Sequence, residues 1–195
     1  MKLNKSFKRF VFPLLVLLVA CREDIIEVAR SRGEIRAADI AQIDQYILDH
    51  NMGTPDTTLN GARYFIVDEG TGDSVTQNAI VSVDYIAYYM NDTIFDTTIP
   101  IVADTALNIP NSTVSARVFT YTQTGWPLQF VTFTSQYYNG PYQATALIEA
   151  LSDALIRMRA GGKLVVFLPS DQATTAYNFV KPEVIYYEFY LRDVL

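Results

Sequence analysis

The sequence predicts an α+β domain: a curved antiparallel β-sheet wrapped on one helix, preceded by a tether helix. Three observations predict it. Six segments are rich in β-branched and aromatic residues: Arg63–Asp68, Ile80–Tyr89, Arg117–Thr122, Leu128–Thr134, Lys163–Leu168 and Val184–Leu191. Turn signals separate most of them, at Gly70-Thr71-Gly72-Asp73, Asn91-Asp92 and Pro169-Ser170-Asp171. Only Ala144–Arg159 breaks the β pattern, with Ala146, Leu147, Ala150, Leu151, Ala154, Leu155 and Met158 at the spacing of one helix face. One helix among six strands is an α+β arrangement.

The elements follow in order. Lys2, Lys5, Lys8 and Arg9 open the chain, and Val11 to Ala20 is apolar except for Pro13. A bilayer span takes about 20 apolar residues, so residues 1–20 read as a secretory signal peptide. The segment ends Leu18-Val19-Ala20-Cys21, which resembles the lipobox of bacterial lipoproteins. That resemblance implies cleavage before Cys21 and lipid on its thiol. A multi-acyl anchor would hold the chain on a membrane of the cell envelope, the outer membrane, on its periplasmic or surface face. Arg22-Glu23-Asp24 resembles the surface-export signal of some Gram-negative lipoproteins.

Residues 21–59 read as a tether with a short helix. Asp39 is the predicted N-cap, Ile40, Ile43 and Ile47 form an apolar stripe, and Gly53 and Pro55 stop the helix. A single stripe on a short helix docks on its own domain or, less commonly, on a partner. Residues 60–195 form the β-rich domain. Asp171 closes its last turn signal, and Gly161-Gly162 ends the second helix.

Composition excludes several kinds of chemistry. The 195 residues carry 15 Lys and Arg against 21 Asp and Glu, a net charge of -6. Residues 1–20 hold four of the positive charges and no acid, so the rest of the chain carries -10. That balance argues against nucleic-acid binding, which needs clustered Lys and Arg. One Cys and one His make neither an internal disulfide nor a Cys/His zinc site. No metal and no cofactor are predicted. No P-loop or dinucleotide fingerprint occurs. His50 reads as an exposed residue at a helix end, and the scattered acids give no paired carboxylates. Asp56-Thr57-Thr58, Asp92-Thr93-Ile94 and Asp104-Thr105-Ala106 resemble a short O-glycosylation motif of some periplasmic proteins.

From Gly61 onward, the order of motifs resembles the FKBP-type peptidyl-prolyl isomerases. Gly61-Ala62-Arg63-Tyr64 through Gly70-Thr71-Gly72 resembles the opening strand and its turn. Val81-Ser82-Val83-Asp84-Tyr85 resembles the next strand with its inward Tyr, and Phe95-Asp96-Thr97-Thr98 the Phe-Asp-Ser-Ser segment. Leu147-Ile148-Glu149-Ala150-Leu151 through Gly161-Gly162-Lys163 resembles the pocket-floor helix and its turn. Leu168-Pro169-Ser170, Ala176-Tyr177 and the closing strand complete the order. The match covers roughly residues 61–98 and 145–195.

The resemblance implies a fold, an activity and a site. A prolyl bond turns over a barrier of roughly 18–20 kcal/mol because amide resonance must be lost. A dry apolar pocket favours the less polar twisted amide. By resemblance, Tyr85, Phe95 and Asp96 line one wall. Leu147 and Ile148 form the rim, the Ile148 N–H binds a substrate carbonyl, and Leu151 is the floor. Tyr177 offers its hydroxyl to the peptide, Tyr187 closes the far wall, and Val180 belongs to the last loop. The implied partners are proline-containing segments of envelope proteins.

Several residues depart from the family pattern. Leu151 stands where Trp is usual, and Tyr187 where Phe is usual. Trp126 follows Gly125 but precedes Pro127 and a strand-like run, so it does not replace the missing floor. About 50 residues separate Asp96 from Leu147, where the family usually has fewer than about 20, so residues 99–144 read as an insertion. Leu128 and Phe130 are the candidates for the pocket Phe of that stretch. Two functions are therefore carried forward: an isomerase that assists envelope-protein folding, and a catalytically degenerate binding or chaperone module on the same fold in a surface, gliding or secretion assembly.

Overall fold

The computed structural model describes residues 31–76, 78–109, 114–115, 117–120, 145–176 and 183–195. The chain divides into two compact units, Met1–Ala37 and Ala38–Leu195. In the first unit, the described residues open helix α1 (Arg32–Asp49). Its N-terminus is a capping box: Glu34 N–H donates to Ser31 Oγ at 3.3 Å, and Ser31 N–H donates to Glu34 Oε2 at 2.7 Å. The predicted N-cap, Asp39, is instead seven residues inside the helix. The Ser-x-x-Glu signal at Ser31 overrides it, because it satisfies free N–H groups of the first turn while Asp39 has helix on both sides.

The second unit is built on one antiparallel sheet. Its strands are β1 (Asp56–Thr57), β2 (Arg63–Asp68), β3 (Ile80–Tyr89), β4 (Ile94–Thr97), β5 (Arg117–Thr120), β6 (Lys163–Leu168) and β7 (Ile185–Val194). The order across the sheet is β1-β2-β6-β7-β3-β4, and β5 also pairs with β3. Helix α3 (Thr145–Leu155) packs on one face, and two short helices, α2 (Pro100–Ala106) and α4 (Ser170–Ala176), complete the described elements. The architecture is the predicted α+β one, a curved antiparallel sheet against a helix. Strand β3 is its centre: β7 pairs along one side from Val81↔Val194 to Tyr89↔Ile185. The other side is shared, by β5 from Ile80 to Val83 and by β4 from Ile86 to Tyr88. Arg117–Thr120 therefore joins the main sheet, and the strand-like run at 128–134 lies outside the described residues.

Strand alternation places two cores on the two faces. Leu164, Val166, Leu168, Ile185, Tyr187, Phe189 and Leu191 turn to one face, where Ala146, Leu147, Ala150, Leu151, Ala154 and Leu155 of α3 cover them. Val165, Phe167, Val184 and Tyr186 turn to the other, where Ile43 and Ile47 of α1 cover them. The predicted apolar stripe thus docks on the domain's own sheet. Asp39 also binds within this unit: its Oδ2 accepts from Ser170 N–H at 3.0 Å and Ser170 Oγ at 2.6 Å, capping the start of α4.

The two turns with glycines fit each other. Gly70 has φ +83°, which favours glycine. A Cβ there would lie 2.6 Å from Gly162 N and 2.7 Å from Ala160 O, and one at Gly72 would lie 2.8 Å from Ala160 Cβ. Backbone-to-backbone packing of this kind, with Gly72 N–H donating to Ala160 O at 2.9 Å, explains the Gly-x-Gly turn without a ligand.

Candidate functional site

Strand β3 delivers Tyr85 to the α3 face because it is in phase with Val81, Val83 and Ala87. Its ring is 1% exposed and meets Tyr187 edge-on at 5.8 Å and Phe189 at 6.0 Å. Its hydroxyl donates to Asp96 Oδ2 at 2.7 Å. A buried Tyr needs such a partner, and the β3–β4 hairpin supplies it. Asp96 Oδ1 in turn accepts from Thr97 N–H at 2.8 Å. Phe95, its neighbour, is half-buried against the same core, with its ring 4.6 Å from that of Tyr89.

Helix α3 supplies the opposite side. Leu147 and Leu151 are buried, and Ile148 is nearly so. Ile148 is the fourth residue of α3, at the end of its first turn. Free N–H groups belong to that first turn, where Ala146 N–H already donates to Gln172 Oε1 at 3.1 Å. Tyr187 of β7 is buried, with its ring stacked 5.2 Å from Phe189.

The structure therefore gathers Tyr85, Phe95, Leu147, Ile148, Leu151 and Tyr187 in one apolar cluster, with Asp96 tied to it through Tyr85. Tyr177, Val180, Phe130 and Cys21 lie outside the described residues, as do Leu128 and Trp126. The arrangement offers an apolar wall, a carboxylate at its edge and a helix first turn opposite. Among the described residues, no group of three or more His, Cys, Asp or Glu could hold a metal ion. No helix of the described residues is long and apolar enough to cross a membrane.

Asp84, Thr97 and Thr98 stand in the motifs read from the sequence, and the structure gives them a supporting role. Thr97 Oγ1 donates to Tyr85 O at 2.8 Å, and Tyr85 N–H donates to Thr98 Oγ1 at 2.8 Å. Thr98 Oγ1 donates to Asp84 Oδ1 at 3.0 Å, and Asp84 Oδ2 pairs with Arg192 at 2.9 Å. These bonds fix the end of β4, and with it Asp96, against β3. The available signal was Asp84, a carboxylate inside an otherwise apolar strand.

The β3–β4 turn is held from the opposite face as well. Asp92 Oδ1 accepts from Tyr46 at 2.5 Å and from Tyr186 at 2.8 Å. The hydrogen bonds from Tyr46 and Tyr186 hold the Asp92 carboxyl below its usual range. Tyr186 stacks on Tyr88 at 4.6 Å, and burial, aided by Glu188, pushes Tyr88 up to about 12. Glu188 is lowered despite its burial, because Lys163 and Tyr190 donate to it at 2.7 Å each. His50 is exposed, as predicted, and stacks on Tyr46 at 3.9 Å.

No protein-family model matches the chain. No curated protein matches it either. Among solved structures, it is similar to FkpA from Escherichia coli at 14% identity and TM-score 0.47, over 99% of this chain and 74% of that one. It is also similar to a peptidyl-prolyl cis-trans isomerase from Pseudomonas syringae pv. tomato at 18% identity and TM-score 0.46, over 86% of this chain and 98% of that one.

Proposed function

We propose that the chain is a peptidyl-prolyl cis-trans isomerase of the FKBP type. It is anchored by lipid on Cys21 in the bacterial cell envelope, at the outer membrane, and acts on proline-containing segments of envelope proteins. The observation that carries this reading is the 2.7 Å hydrogen bond from Tyr85 to Asp96 at the edge of the apolar cluster. The reaction breaks no covalent bond. It needs a site that binds the twisted amide better than the planar one. Phe95, Ile148, Leu151 and Tyr187 supply apolar surface, which favours the amide once resonance and its dipole are reduced. Tyr85 orients Asp96 toward the prolyl carbonyl carbon, where twisting changes the charge most. N–H groups at the first turn of α3, up to Ile148, hold a flanking carbonyl. Tyr177 adds its hydroxyl to the peptide, with Leu147, Val180 and Phe130 bordering the pocket.

A protease-coupled prolyl isomerisation assay tests the reading. Wild-type protein accelerates the slow phase, and Phe95→Ala/Asp96→Ala abolishes the acceleration. Equal rates for the two proteins at high concentration would overturn it. The Cys21 anchor is tested by incorporation of a labelled fatty acid, which Cys21→Ser eliminates.

One observation favours a second reading, a degenerate binding or chaperone module in a surface, gliding or secretion assembly. Leu151 is 1% exposed and Tyr187 is fully buried, so floor and far wall are packed as core. On this reading, the protein captures partners without turnover. Removing residues 100–143 changes the set of proteins captured from membranes, and an unchanged set sinks it.

A further inference from the structure

Among the described residues, one edge of the sheet is covered only in part. Strand β1 pairs with β2 at Asp56↔Tyr64 and Thr57↔Arg63, and goes no further. Pro55 precedes Asp56, and a proline has no N–H to continue a ladder. The alternation of the antiparallel pair fixes which groups are left. Thr58 N–H donates to Ala62 O at 3.1 Å, so Ala62 and Tyr64 turn their backbone groups toward β1. Arg63 and Phe65 turn theirs toward β6, and Ile66, beyond the end of β1, turns its own to the open edge. A groove of about 290 Å³ lies along this edge, lined by Thr54, Asp56, Tyr64, Ile66, Glu69 and Arg157 among others.

The groove has a definite charge. Arg157 is its cation, and it is already paired with Asp56 at 2.5 Å while lying 5.8 Å from the centre of the Tyr64 ring. Glu69 is exposed beside it. Burial, then the charge of Asp56 and to a lesser degree that of exposed Asp153, holds the Tyr64 hydroxyl above its usual range. The neighbouring cations point elsewhere: Arg63 to Asp44 at 3.0 Å, and Arg159 to Gly72 O at 3.3 Å. Of the two carboxylates that line the groove, Asp56 is paired with Arg157, so Glu69 gives the groove its negative charge. Val67, 56% exposed on the other face of β2, adds an apolar contact.

We propose that this edge is a docking groove for an extended, basic peptide segment, which adds as a strand beside Ile66 and sets Lys or Arg against Glu69. Main-chain hydrogen bonds supply affinity in such strand addition, and the side chains that meet the groove supply selection. A second copy of this chain is the poorer occupant. Its net charge of -6 brings like charge to an acidic edge. No residue of the candidate prolyl site lines the groove, so the proposal stands whether or not the chain isomerises prolyl bonds.

The test uses the full chain, isotope-labelled, and a short capped peptide in which Lys and Val alternate. Two control peptides carry Glu in place of Lys, or a methyl group on the central backbone nitrogens. The Lys peptide shifts the amide signals of Ile66 and Val67, and both controls do not. Glu69→Lys weakens the Lys peptide about tenfold, because a charge of the wrong sign then lines the groove. Among the described residues the Glu69 side chain makes no hydrogen bond or ion pair, and its backbone O, which accepts from Arg159 N–H, is unaffected by the change. Equal binding of Lys and Glu peptides, an effect of Glu69→Lys smaller than about twofold, or shifts centred away from β2 would overturn the proposal. So would sedimentation showing that a second copy occupies the edge.

Discussion

Ile43→Ala tests whether α1 belongs to the folded domain. Ile43 is fully buried, Ile47 is 5% exposed, and both pack on Val165, Phe167, Val184 and Tyr186. The substitution removes three buried carbons, which at about 0.8 kcal/mol each is about 2.4 kcal/mol of transfer free energy. The void left under a docked helix raises the loss to about 3–4 kcal/mol. For a chain of this size, about 2–4 °C is lost per kcal/mol, so Tm falls by about 6–16 °C. Leu48, one residue from Ile47 and 68% exposed, is the control. Leu48→Ala changes stability by less than about 0.5 kcal/mol. Differential scanning calorimetry of the three proteins at one concentration reads both numbers. Coincident transitions for wild type and Ile43→Ala would refute the reasoning, because α1 would then be a tether that only rests on the sheet.

Two further outcomes follow from particular geometry. Gly70→Ala and Gly53→Ala both place Ala at positive φ, +83° and +89°, which costs roughly 1–2 kcal/mol. Only the Cβ at residue 70 strikes backbone, so urea unfolding should make Gly70→Ala about 1–3 kcal/mol less stable than Gly53→Ala; equal stabilities would mean the two glycine turns do not pack. Asp92 carries a pH dependence. Its folded pKa lies below the ordinary 3.8, so its stabilisation is complete above that value and drains as pH falls through the lower folded one. The Tm gap between wild type and Asp92→Asn should therefore be widest near neutral pH and close on acidification, and a gap that grows toward low pH would contradict the Tyr46 and Tyr186 contacts.

Much of the fold was legible because period decides it. Arg63–Asp68, Ile80–Tyr89 and Lys163–Leu168 fall where β-branched and aromatic runs predict them. Helix α3 stops at Leu155, short of the predicted Arg159, because the chain must turn so that Arg159 can bridge Ser74 and Ala160 can meet Gly72. Helices α2 and α4 carried no apolar period. Pro100 at the first turn of α2 and the Asp39 carboxylate at the start of α4 stabilise them instead, and the second of these is a contact across 131 residues that no local pattern contains. Of the candidate site, alternation made Tyr85 and Tyr187 legible as members of one face. The bonds that orient Asp96 were not legible, because Asp84, Thr98 and Arg192 meet only once β3, β4 and β7 are side by side.

The two faces of the sheet support each other through the same strands. Tyr187 of β7 belongs to the candidate site, and Tyr186, one residue earlier and on the other face, donates to Asp92. Asp92 sits at the turn of the hairpin that carries Phe95 and Asp96, and its φ of +63° is held by Tyr46 and Tyr186 together with Asp92 N–H donating to Tyr89 O at 3.0 Å. A hairpin tip fixed from one face positions the side chains it presents on the other, because strand residues alternate without freedom to rotate independently. Helix α1 is then more than a lead-in to the β-rich domain. Through Tyr46 it helps set the height of the β3–β4 tip, and so the place of Phe95 and Asp96 at the edge of the apolar cluster.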